Sequence, residues 1–138
     1  MTAYFDCNAT TPLDPAARST LIQFLDEDFG NAGSRTHEFG AVAKRATQEA
    51  RARVANAIGA RADEVLFTSG ATESNNLAIL GMSPFGIESG RKHIVTTRIE
   101  HKAVLEPVQR LRQQGFDVTL VDCDETGRVR ADDILAAV

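Results

Sequence analysis

The sequence holds only two cysteines, Cys7 and Cys123, far apart and without a C-x-x-C spacing. That excludes a disulfide framework and a zinc cage, so no metal site is expected. Both thiols are expected inside a core as small apolar groups. No basic segment followed by an apolar stretch comes after Met1, and no run approaches the ~20 apolar residues of a membrane span. The reading is a water-soluble, cytoplasmic chain with no membrane partner. Blocks of like charge are also missing and the formal net charge is -4, so no basic footprint for direct nucleic-acid binding exists. Internal repeats, low-complexity segments and linkers are absent. So are the G-x-x-x-x-G-K-[ST] and G-x-G-x-x-G loops, which demotes nucleotides as ligands.

What is present is ordinary globular material. The 138 residues are 43% hydrophobic and 25% charged, enough for one domain with one core. Asp14 and Pro15 have the form of an N-cap and first helical residue, and Ala17, Leu21, Phe24 and Leu25 follow at helical spacing to about residue 28. The small, polar run Phe29-Gly30-Asn31-Ala32-Gly33-Ser34-Arg35 reads as an ordered loop and a candidate site element. A long helix is expected from about His37 to Ile58, with Phe39, Val42, Ala46, Ala50, Val54 and Ala57 on its apolar stripe and Gly59 as its stop.

From Glu64 onward short apolar runs alternate with helices. Strands are expected at Val65 to Thr68, His93 to Thr97 and Val118 to Val121, with helices from Ser74 to Leu80 and Ala103 to Gln114. This is an α/β pattern with parallel strands and helical crossovers. Near the end, Asp132 and Asp133 open an amphipathic helix with Ile134, Leu135 and Val138, but no glycine, asparagine or basic residue closes it. Three strands would also leave a sheet edge unpaired. The sequence reads as interrupted, the expectation being a fragment.

Chemistry concentrates in Phe67-Thr68-Ser69-Gly70-Ala71-Thr72-Glu73-Ser74-Asn75-Asn76, a strand passing through a glycine turn into a helix. N–H groups at a helix start are unpaired and the dipole there is positive, so the turn can hold a phosphate. Gly70 and Ala71 allow close approach, and the hydroxyls of Ser69 and Thr72 can donate. On these residues alone, Ser69 or Thr72 can equally be a helix cap. A second segment, Arg98-Ile99-Glu100-His101-Lys102-Ala103-Val104, follows the next strand. Ligand crevices in such folds lie at the carboxyl ends of parallel strands, which puts His101 and the Ser69 to Thr72 turn on one rim. His101 by itself reads as readily as a cap or a surface residue.

Taken together, Tyr4-Phe5-Asp6 with Ala9-Thr10-Thr11-Pro12, Phe29 to Ser34, Phe67 to Ala78 and Glu100 to Val104 resemble, in order, the N-terminal motifs of cysteine desulfurases in the class V aminotransferase group. Within that family Asn31 to Glu38 looks most similar to the desulfurase of the DNA phosphorothioation system. The resemblance implies the N-terminal part of a fold-type I pyridoxal-phosphate-dependent large domain, an incomplete parallel-type sheet with flanking helices, with residues 1–13 as an arm and 14–138 as the domain's start. It implies pyridoxal 5'-phosphate as cofactor, Ala71 and Thr72 as phosphate-binding residues, and His101 as the residue stacked on the ring and assisting proton transfer. Asn31 becomes a candidate for proximity to substrate.

The implied reaction turns L-cysteine into L-alanine and passes sulfur on, as an enzyme persulfide, to a sulfur-acceptor protein. Iron-sulfur assembly, tRNA thiolation and DNA phosphorothioation all draw on that chemistry. The implied assembly is a homodimer or a chain completed by a second polypeptide. The family's covalent lysine, its aspartate at the pyridine nitrogen and its mobile-loop cysteine match nothing up to Val138. Lys102 imitates part of the lysine motif, but Glu100 before His101 assigns the block to the ring-stacking motif. The chain alone is therefore expected to be inactive. The alternative reading is a noncatalytic remnant serving as a dimerising or regulatory partner, and a third is an unrelated phosphate-ester-binding module.

Overall fold

A computed structural model describes residues 2–138, which form two compact units, divided after Phe67. In the first unit, α1 (Pro15–Asp26) starts as its sequence predicts: Asp14 Oδ1 accepts from the Ala16 N–H at 2.8 Å and the Ala17 N–H at 3.4 Å. Its stripe is only partly used, since Phe24 is half-buried while Leu21 and Leu25 stay exposed. The second helix, α2 (Glu38–Ile58), ends on Gly59 at φ 67, the left-handed conformation in which glycine closes a helix at little steric cost.

The buried face of α2 differs from the expected stripe. Gly40, Ala43 and Ala55 are buried, while Phe39 and Val54 are exposed. The reason is a close backbone approach. A Cβ on Gly40 would lie 2.6 Å from the Ser34 carbonyl oxygen, and one on Gly30 would lie 2.0 Å from that of Phe39. Two glycines ten residues apart let the 30–34 loop rest directly on the first turn of α2. Phe29 and Phe39 stack alongside with ring centroids 5.6 Å apart.

Residues 65–68, expected as a strand, carry no ladder. A 3₁₀ turn at Ala62–Glu64 leads into extended backbone, but a strand needs a hydrogen-bonded neighbour and none of the described residues supplies one. Arg51 takes that place from α2: its guanidinium donates to the Val65 carbonyl and lies 5.2 Å from the Phe67 ring centroid.

The second unit runs α3 (Ala71–Gly81), α4 (Ser83–Ser89), β1 (His93–Thr97), α5 (Lys102–Gln113), β2 (Asp117–Val121) and α6 (Ala131–Ala136). β1 and β2 pair in parallel, His93 opposite Asp117 through Thr97 opposite Val121, with α5 as the crossover. The core sits under α5, where Ala103, Val108 and Leu111 are buried with Phe116 and Val121. α3 packs on α5. A groove of about 450 Å³, with Ile79, Met82, Ile94, Val108, Leu111 and Phe116 in its walls, shows this apolar layer incompletely filled.

The thiols depart from expectation: Cys7 is exposed and Cys123 half-buried. Cys7 lies in a turn of the N-terminal arm, outside any helix or strand that would cover it. Large apolar side chains are exposed too, Leu66 at 66% and Ile58 at 70%. The chain exposes 10966 Å². Even two separate globules of half its mass would expose only about 8,500 Å². Among the described residues no helix is long and apolar enough to cross a membrane, and no three His, Cys, Asp or Glu side chains cluster as metal ligands.

Candidate cofactor site

The turn before α3 is braced from within. Glu73 reaches back so that its Oε2 accepts from the Ser69 N–H and the Ser69 hydroxyl, both at 2.7 Å. The Thr68 hydroxyl lies 2.6 Å from Ser74 Oγ and donates to the Gly70 carbonyl at 3.2 Å. These bonds hold the Glu73 carboxyl below its ordinary value of 4.5, the Ser69 N–H being the larger cause and the Ser69 hydroxyl the next. The N-cap itself is Gly70, without a side-chain cap, so neither Ser69 nor Thr72 takes the capping role.

This arrangement sorts the donors. The Ser69 hydroxyl, expected to serve a ligand, is committed to Glu73. The N–H groups of Ala71, Thr72 and Glu73 meet no hydrogen-bond acceptor among the described residues. All three belong to the first turn of an 11-residue helix, where the dipole favours an anion. A Cβ on Gly70 would meet nothing within 4 Å, so the approach to these donors is open. The donor set, three backbone N–H groups with the Thr72 hydroxyl beside them, fits a phosphate monoester.

His101 is the N-cap of α5, and its Nδ1 accepts from the Ala103 N–H at 3.1 Å. The cap reading of this residue is thus realised, while the imidazole remains exposed. The connection that delivers it from β1 is tied down by residues that sequence reasoning passed over. The Arg98 N–H donates to the Val121 carbonyl at 3.0 Å, the Arg98 side chain pairs with Asp122, and the Thr97 hydroxyl donates to Glu100 at 3.1 Å. Only the opposite charges of Arg98 and Asp122, each just past a predicted strand, signalled this pair. His101 and the Ser69 to Thr72 turn thus stand at the N-terminal ends of two helices that pack together within one unit.

In the first unit Asn31 is engaged locally: its Oδ1 accepts from the Gly33 N–H at 2.8 Å and its carbonyl from the Ser34 N–H at 2.9 Å. The Tyr4 hydroxyl closes the N-terminal motif, 2.8 Å from Thr10 Oγ1 and donating to the Asp6 carbonyl at 2.9 Å.

The glycine turn into α3 is followed by a parallel β-α-β unit, and the aminotransferase class-V family matches residues 3–138. The chain belongs to that family, which together with its cysteine desulfurases depends on pyridoxal 5'-phosphate. It is 45% identical over 144 residues to the cysteine desulfurase IscS of Dechloromonas aromatica (strain RCB), covering 98% of this chain and 36% of that protein. Among solved structures, DndA from Streptomyces lividans superposes with a TM-score of 0.84 at 44% identity, over 99% of this chain and 38% of DndA. SspA in complex with cysteine gives 0.87 at 35% identity, over 99% of this chain and 39% of SspA. The chain thus spans about a third of the length of the relatives it matches.

Proposed function

We propose that this chain supplies the phosphate-holding and ring-facing part of a cysteine desulfurase, which converts L-cysteine to L-alanine and passes sulfur as a persulfide to an acceptor protein. Residues 14–138 are the start of its large cofactor-binding domain, with 1–13 as the arm. The observation that carries this reading is the set of three unpartnered N–H groups at Ala71, Thr72 and Glu73, in a turn braced by Glu73 and matched in a family that uses pyridoxal phosphate. The cytoplasmic setting and a homodimeric or two-polypeptide assembly belong to the same proposal, as does a place in iron-sulfur, tRNA or DNA sulfur chemistry.

The residues divide the work. Ala71 and Thr72 hold the phosphate through their N–H groups and the Thr72 hydroxyl. Glu73 withdraws the Ser69 donors and fixes the turn, and His101 offers its exposed ring to the face of the bound group. When bound, pyridoxal phosphate supplies an electron sink for chemistry at the substrate amine's carbon. Lys102 opens α5 and directly follows the capping histidine, and we do not assign it the covalent role. Without a covalent lysine the phosphate contacts act alone. Charge-assisted bonds contribute about 1.5–3 kcal/mol each against an association cost of about 4–15 kcal/mol, so binding by the chain itself is weak.

The test is reconstitution. The chain is mixed with a polypeptide matching the remaining two thirds of an IscS relative, and alanine and sulfide are measured from cysteine with pyridoxal phosphate present. Turnover by the mixture and none by the chain alone is expected. Turnover by the chain alone would refute the division of the site, and a mixture that assembles but leaves Ala71 and Thr72 untouched by the cofactor would refute the cradle.

A further inference from the structure

The 30–34 loop keeps its own hydrogen bonds to itself. The Gly30 N–H donates to the Asp28 carbonyl at 2.8 Å, and the Gly33 and Ser34 N–H groups donate to the Asn31 side chain and carbonyl. Among the described residues no bond runs from 28–36 to α2, so the loop meets that helix by contact alone, Gly40 against Ser34 and Asn31, and Phe39 against Phe29. His37 ties the junction between them. Its Nδ1 accepts the Gly40 N–H at 3.2 Å and its carbonyl the Ala41 N–H at 3.3 Å, and its ring stands edge-on to Phe39 with centroids 6.3 Å apart. Gly40 is buried, so its N–H has little access to water as a substitute partner.

A neutral imidazole accepts through one ring nitrogen, and a protonated one through neither. The Gly40 bond therefore exists only with a neutral ring. A proton taken up at Nδ1 removes the acceptor and places a cation at the start of a 21-residue helix, where the dipole opposes it. The ring is exposed, so that proton can arrive from solvent. The charged groups around the junction are Arg35, Glu38 paired with Arg45 at 3.1 Å, and Asp28, which lines a small cavity with Glu38, Phe39 and Val42. Among the described residues none of them bonds to the imidazole. The other two histidines, His93 and His101, belong to the second unit.

We propose that His37 is a proton-operated clasp: neutral, it holds the first turn of α2 against the 30–34 loop, and protonated, it lets that turn fray and the loop loosen. The clasp is made above the histidine range and is lost as pH falls through it. Asn31 and Ser34 are thereby presented in one fixed arrangement only while the ring is neutral. The device lies wholly within the first unit and is independent of the cofactor reading.

The test follows solvent exchange of backbone amides in the full chain by ¹H–¹⁵N spectroscopy from about pH 8 to about pH 5, the span in which histidine ordinarily changes charge, corrected for the intrinsic pH dependence of exchange. Gly40 should be protected at the upper end and lose about fivefold in protection at the lower, the typical effect of one helix cap. The Asn31 and Ser34 amide resonances should move along the same curve. His37→Asn keeps a capping acceptor that does not titrate, so protection persists at both ends; His37→Ala lacks the acceptor and gives the low value throughout. Should His37→Ala fail to fold, the wild-type and His37→Asn curves decide by themselves. A flat wild-type curve overturns the clasp, and so does a titration that His37→Asn reproduces. Titration at Gly40 with Asn31 and Ser34 unmoved overturns it equally, leaving His37 as a helix cap only.

Discussion

Replacing Gly40 with alanine sets two effects of opposite sign against each other, and the structure decides between them. Gly40 is in the first turn of α2, where exchanging glycine for alanine gains at most about 0.8–1 kcal/mol of helix propensity. Propensity alone predicts a more stable protein. The added methyl, however, would stand 2.6 Å from the Ser34 carbonyl oxygen, 2.7 Å from Ser34 Cβ and 3.1 Å from the Asn31 carbonyl oxygen. Two of those three atoms are backbone and cannot rotate away, so the 30–34 loop has to lift as a unit. Overpacking of this kind costs about 1–3 kcal/mol, and contact with backbone places it near the top of that range. The net expectation is a loss of about 1–2 kcal/mol. Urea unfolding followed by amide exchange at residues 31–44 reads it, because the two units need not unfold together. A raised midpoint, or unchanged exchange at Asn31 to Ser34, would show that the loop does not rest on α2 through this glycine.

Gly70→Ala has the opposite profile, because its Cβ would meet nothing within 4 Å. Stability should stay within about 0.5 kcal/mol, while affinity for pyridoxine 5'-phosphate falls; an unchanged affinity would show that the phosphate does not approach over Gly70. Leu111→Ala, at the most deeply buried large side chain, should cost about 2–5 kcal/mol in denaturant unfolding of the second unit, and a loss under 1 kcal/mol would place the core elsewhere. Glu73 has a carboxyl value lowered on folding by Ser69, so its bracing is complete above its ordinary 4.5 and is lost as pH falls through the lowered folded value. The Ser69 amide resonance should therefore titrate on acidification below 4.5, and a flat response would disprove the brace.

Signals confined to a few neighbouring residues were legible in the sequence. Asp14 with Pro15, Gly59 as a stop, and the apolar run His93 to Thr97 each encode a local boundary, and the structure places helices and a strand at those boundaries. Where a partner distant in sequence decides, sequence reading fell short. Val65 to Thr68 has the composition of a strand, but pairing is supplied by neighbours, and here Arg51 stands where a strand would. α4 lies where no element was expected, between Leu80 and His93; Pro84 sits in its first turn, and Gly90 at φ 72 closes the helix. The candidate site followed the same division. The Ser69 to Glu73 motif announced a glycine turn into a helix, which the structure shows, whereas the recruitment of the Ser69 hydroxyl by Glu73 and of His101 Nδ1 by Ala103 depends on side-chain geometry that no spacing encodes.

The parallel pairing of β1 with β2 uses one edge of each strand, and no described residue covers the other two edges with a further strand. Open edges beside uncovered apolar side chains are templates for intermolecular pairing. While unmet, they favour pairing between copies of the polypeptide over a dispersed chain. Yield of soluble protein would then report on whether those edges have found their cover before any enzymatic assay could.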